Sequence, residues 1–127
     1  MRAVDTNGLV RLITRDDARQ MIAADTFIAK GAWVSHLAIA EATWVLASVY
    51  DRDANAVATA VEMLLSHEHL TVQDADVVAA AVAQFREQPR VGFSDCLLVE
   101  IARKSGHLPL GTFDRDLGKL DGAQLLS

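Results

Sequence analysis

Short apolar runs set apart by helix-length segments constrain this chain more than any other feature. Ala3-Val4, Trp33-Val34, Leu70-Thr71-Val72 and Leu108 to Thr112 each read as a strand, and Ala123 to Leu126, after the Asp121-Gly122 turn, reads as a short fifth. No two-residue hairpin turn joins any neighbouring pair. Strands connected through long helices run mainly parallel, because a parallel pair needs a crossover connection that a tight turn does not supply. The expectation is therefore an α/β fold in three layers, with a mainly parallel central sheet of four to five strands flanked by helices. Ligands on such sheets bind outside the carboxyl ends of the strands.

The helices between these strands carry their own punctuation. Leu9, Val10, Leu12 and Ile13 suggest a helical turn or two after the first strand, and a helix follows from about Asp17 to Lys30, with Gly31 suited to the left-handed residue that closes it. Ser35 and His36 lead into a strongly apolar helix from Leu37 to Tyr50. Asp53 caps a further helix in which Val57, Val61, Leu64 and Leu65 recur at helical spacing. Asp74 or Asp76 caps the next, which carries Val77, Val78, Ala81, Val82 and Phe85 and stops before Pro89. Phe93 and Ser94 open the last helix, ended by Gly106 and Pro109.

A chain of 127 residues fits one domain, residues 1–127. With 51% hydrophobic and 23% charged residues and no low-complexity tract, a disordered tail is not expected. The longest uncharged stretches, such as Gly31 to Ala40, fall well short of the about 20 apolar residues of a membrane span, so no membrane association is expected. No basic segment and apolar core precede Asp5, which argues against a secretory signal and for a cytoplasmic location. Cys96 is the only cysteine, which excludes an intramolecular disulfide and a cysteine zinc site and directs any metal to oxygen ligands. The net charge of −5 runs against a nucleic-acid partner, yet setting aside the carboxylates of Asp5, Glu41, Asp95, Asp114 and Asp116 leaves a balanced remainder able to form basic patches.

Those acids carry the candidate chemistry. Asp5 directly follows the first strand, where it serves as a helix N-cap or points into the mouth at the strand ends. Glu41 is the only charged side chain between Leu37 and Tyr50, so the surrounding apolarity favours a carboxylate that needs a cation, a metal or a shifted pKa, the alternative being a plain exposed helix glutamate. Asp95 lies in the first turn of a helix, where an acid is favoured by free amides and the helix dipole. Asp114 and Asp116 follow the fourth strand and read locally as an acidic turn. Carboxylates gathered at one rim repel unless cations neutralise them, and Mg2+ or Mn2+ prefers such hard oxygen ligands, with water and substrate phosphate completing its shell. The chemistry implied is metal-assisted phosphodiester hydrolysis. No Ser-His-Asp or Cys-His arrangement competes: His36, His67, His69 and His107 lie at segment ends, and Cys96 reads as a small core residue.

The chain resembles the PIN-domain family along its length. The resemblance is carried by Asp5-Thr6-Asn7 after the first strand, by Glu41 within Ala38-Ile39-Ala40-Glu41-Ala42, by Asp95 within Gly92-Phe93-Ser94-Asp95-Cys96, and by Thr112-Phe113-Asp114. It implies a Mg2+- or Mn2+-dependent endoribonuclease with Asp5, Glu41, Asp95 and Asp114 as metal ligands and catalytic acids, Asp116 as a fifth acid, and Thr6, Asn7 and Thr112 supporting them. For a small single-domain chain it further implies the toxin of a VapBC-type toxin–antitoxin pair, a homodimer acting on RNA and silenced by an antitoxin that covers the acidic site. Two positions depart from the pattern: Gly8 replaces a usual aliphatic residue, and Arg2 stands in the first strand. Arg11, Arg15, Arg86, Arg90, Arg115 and Lys119 are possible phosphate contacts but read first as solvated charges, and Trp33, Trp44 and Tyr50 read as core or dimer interface. The alternatives are a receiver-type phosphoacceptor module, whose paired acids after the first strand and Lys after the fifth this chain lacks, and a PIN-fold binding scaffold without activity.

Overall fold

The computed structural model describes residues 1–127 and is an α/β protein of six α-helices and five strands, all paired in parallel. It comprises two compact units, Met1–Ala75 and Asp76–Ser127.

The first unit contains β1 (Arg2–Ala3), α1 (Thr6–Thr14), α2 (Ala18–Ile28), β2 (Ala32–Val34), α3 (His36–Ser48), α4 (Ala54–Ser66) and β3 (Leu70–Val72). Its strands lie in the order β1-β2-β3, with Ala3 opposite Trp33 and Val34 opposite Val72. Asp5, Asp17, Ser35 and Asp53 cap the four helices, each accepting from the amide three residues on. Gly31 adopts φ +87 after α2, the left-handed conformation anticipated for it. Leu9, Ile28, Val34, Ile39, Leu46, Val61 and Leu64 are fully buried. Each such side chain contributes about 1.5–3 kcal/mol of burial. The charged residue in the first strand is accommodated at the edge: the Arg2 guanidinium stacks 4.0 Å above the Phe27 ring of α2.

The second unit contains α5 (Ala75–Glu87, with Ala75 at the junction), α6 (Phe93–Ser105), β4 (Leu110–Thr112), a 3-10 turn (Leu117–Lys119) and β5 (Ala123–Leu125). Asp76 lies in the first turn of α5, and Gly106 closes α6 at φ +79. β4 pairs with β5 alone, Leu110 opposite Ala123 and Thr112 opposite Leu125, so the five strands divide into a three-stranded and a two-stranded ladder. Phe85 and Phe93 pack edge to face, ring centroids 6.1 Å apart. No helix is long and apolar enough to cross a membrane.

Candidate metal centre

In the first unit, Asp5 follows β1 by two residues and caps α1, its Oδ1 accepting the Gly8 amide at 2.9 Å. The cap and ligand readings of Asp5 are thus compatible, because capping engages one carboxylate oxygen. The departure at Gly8 also has a local cause. A Cβ built there collides with the Val4 side chain and comes 3.5 Å from Asp5 Oδ1, so glycine lets the chain fold back closely on the strand end.

Glu41 overturns one expectation. It is exposed rather than buried, on a face of α3 that also exposes Leu37 at 69% and Trp44 at 65%. The opposite face buries Ala38, Ile39, Ala42, Thr43 and Leu46. A helix apolar all round gives no periodic signal for which side meets solvent, so sequence alone could not orient it. Trp44 is accordingly not a core residue. The Glu41 carboxylate instead has a polar neighbour, accepting from the Thr6 hydroxyl at 3.3 Å. Asp5, Thr6 and Glu41 line one cavity of about 320 Å3, and Asp5 also borders a second of about 360 Å3 that reaches Gly8, Ala24 and Phe27.

In the second unit, Asp95 sits half-buried in the first turn of α6, whose N-cap, Gly92, supplies no side-chain bond. Burial, and secondarily the negative charge of Asp114, hold the Asp95 carboxyl above the usual carboxylate range. Asp114 follows β4. Its amide donates to Thr112 Oγ1 at 3.0 Å and its Oδ1 accepts the Leu117 amide at 2.9 Å. Asp5 and Asp114 therefore share one local device: an acid at a strand end, one oxygen held by the amide three residues on, the other left available. Asp116 is half-buried before the 3-10 turn and makes no side-chain capping bond.

The donor set suits a hard divalent cation. All candidates are carboxylates, and burial together with the charge of Asp114 disfavours the ionised form of Asp95, an effect that a cation would oppose. No group of three or more His, Cys, Asp or Glu side chains is gathered as a cage. Pairs of carboxylates fit Mg2+, which keeps several waters and completes its shell with substrate phosphate.

Several polar groups outside this set were not legible in sequence. Arg11 donates to Tyr50 Oη at 2.8 Å, to Asp16 Oδ1 at 3.0 Å and to Gln20 Oε1, while Tyr50 donates to Asp16 Oδ2 at 2.9 Å. Arg15 pairs with Asp25 at 2.7 Å. These two arginines are thus engaged in structural pairs rather than standing as solvated surface charges. Arg90, Arg115 and Lys119 are exposed. Glu100 is a buried carboxylate on α6 that pairs with Arg103; the three-residue spacing on a helix was the one available signal. Cys96 is fully buried, and burial, with Asp95 and Glu100 adding to it, pushes its thiol up to about 11. It is an inert core residue, as expected.

A family model of the PIN domain matches residues 2–123. No curated protein and no solved structure matches the chain. The match displaces the receiver-type alternative.

Proposed function

The chain belongs to the PIN domain family, whose members are in general metal-dependent nucleases, and on that premise we propose that it is a Mg2+- or Mn2+-dependent endoribonuclease. Asp5, Glu41, Asp95 and Asp114 are the proposed metal-binding and catalytic carboxylates, with Asp116 an additional acid. The observation that carries this reading is Asp95, a half-buried carboxyl held above the usual carboxylate range by burial and then by the charge of Asp114. Such perturbation is characteristic of functional sites.

A bound Mg2+ or Mn2+ would acidify a water nucleophile and stabilise negative charge on the leaving oxygen. The Gly8 and Leu117 amides hold one oxygen each of Asp5 and Asp114, leaving the other to take a ligand. Thr6 orients Glu41 through its hydroxyl. Burial, and secondarily the charge of Asp114, hold the Asp95 carboxyl above the usual carboxylate range, an effect that a nearby cation would oppose.

The family match runs across both compact units, which supports one PIN domain over residues 1–127. We further assign the protein as a cytoplasmic toxin of a VapBC-type pair whose partners are RNA, a cognate antitoxin and a second copy of the chain. The exposed Leu37, Trp44 and Val49 of α3 and its C-terminus support a protein-binding surface. The test is incubation of the purified, antitoxin-free protein with total RNA and Mg2+ or Mn2+, with and without EDTA, beside Asp95→Asn. Discrete, metal-dependent cleavage lost in the variant supports the nuclease. Equal inactivity of both proteins on every RNA class, with metal binding intact, favours the non-catalytic scaffold.

A further inference from the structure

Two carboxylates that repel each other keep a fixed separation only if the elements bearing them are tied together. Asp95 is carried by α6, and Asp114 by the segment that follows β4. One side chain of α6 reaches that C-terminal segment through a chain of short bonds. Arg103 Nε donates to both oxygens of Glu100, at 3.2 and 3.4 Å, and Glu100 is only 8% exposed at its side chain. Arg103 Nη2 donates to the Asp121 carbonyl at 2.8 Å and lies 3.7 Å from Asp121 Oδ2. The guanidinium rests on Gly122, where φ is +93 and an added Cβ would stand 2.9 Å from Nη2. Glycine is favoured at 122 by its left-handed backbone conformation, and its bare Cα leaves room for the guanidinium to lie against the turn.

From that turn the connection continues to the acid. The Gly122 carbonyl accepts the Leu110 amide at 2.8 Å, which starts the β4–β5 ladder, and Leu126 donates to the Thr112 carbonyl at 2.7 Å. The Thr112 hydroxyl then accepts the Asp114 amide at 3.0 Å. We propose that Arg103 is a positioning residue for metal binding: by fastening the buried Glu100 of α6 to the Asp121-Gly122 turn, it sets the separation of Asp95 from Asp114. This assignment rests on the nuclease reading above. Lysine does not replace it, because one ammonium lacks the planar fork that serves the carboxylate and the carbonyl together.

The test compares Mn2+ binding by calorimetry in the full-length wild type, Arg103→Lys, and Glu100→Gln/Arg103→Met. The double variant removes both charges and avoids stranding a buried carboxylate. Circular dichroism and thermal melts establish folding. Expected are a Kd for Mn2+ weakened about tenfold in the folded variants and cleavage that recovers at saturating Mn2+, a rescue that generalised loss of structure would not permit. Combined with Asp114→Asn, the double variant weakens binding little further, since both changes act on one pair. An unchanged Kd in folded variants of a wild type that binds Mn2+, or additivity with Asp114→Asn, overturns the positioning role alone. A wild type that binds no Mn2+ overturns the nuclease reading and this role with it.

Discussion

The Thr6 hydroxyl donates to Glu41 Oε1 across 3.3 Å, linking the first residue of α1 to the middle of α3 over a sequence separation of 35. The contact is exposed and long, so it contributes little to stability. Its consequence is orientation, because it selects among the rotamers of an exposed glutamate. Thr6→Val is expected to reduce RNA cleavage roughly tenfold while leaving the melting temperature within about 2 °C. Thr6→Ser should retain activity. Wild-type rates in Thr6→Val would exclude the orienting role.

Gly8→Ala tests the close approach of α1 to the strand end. The change brings about 1 kcal/mol of helix propensity, but the added methyl collides with Val4 and presses on the loop holding Asp5. Overpacking of this kind costs about 1–3 kcal/mol, so the expected outcome in urea denaturation is a net loss. Val4→Ala/Gly8→Ala should recover part of that loss relative to the two single changes summed. Simple additivity would show that the Val4 contact is not the cause.

Acid should weaken the fold through three carboxylates. Asp16 is held below the usual carboxylate range by its bond from Thr14, then by Tyr50; Asp25 chiefly by Arg15; Asp76 chiefly by Lys104. An acid whose folded-state pKa is depressed adds stability above its unfolded pKa, near 4, and that stability is lost as pH falls through the folded value. Thermal melts should therefore be nearly flat from pH 7 to about 5 and fall below about 4. Asp16→Asn should shrink the acid-side decline, and an unaltered profile would remove Asp16 as a contributor.

Asp95 has the opposite sign. Burial, then Asp114, raise its folded-state pKa, so its charge disfavours the folded, metal-free protein at neutral pH. Asp95→Asn should raise the melting temperature in EDTA at pH 7, with the gain vanishing as pH falls and the wild-type carboxyl takes up its proton. A lower melting temperature in EDTA would mean that the helix-dipole interaction outweighs the other two.

Cys96, pushed up to about 11, belongs to the alkaline limb. Its contribution is intact below the unfolded thiol value, near 8.5–9, and is lost as pH rises towards the folded one. A disulfide reagent should leave the native thiol untouched and modify it fully in denaturant. Rapid modification of the native protein would contradict its burial.

The order of elements and most of their ends were legible before any packing was known, because these depend on local chemistry. Asp17 and Asp53 cap their helices, Gly31 and Gly106 take left-handed conformations, and β3 spans Leu70–Val72, all properties of a residue and its near neighbours. The motif acids were legible for the same reason, each lying at a strand end, in a first helical turn or alone on an apolar helix. Tertiary structure decided what each side chain faces. Glu41 is exposed because α3 buries its other side, a choice that an all-apolar helix leaves open. Arg11 meets Tyr50 across 39 positions, and Arg103 meets Asp121 across 18, through contacts that no periodicity encodes. Local backbone preference acts within a few residues, whereas partners distant in the chain are selected only when packing closes the intervening loops, so the order of elements was readable and the pairing of charges was not.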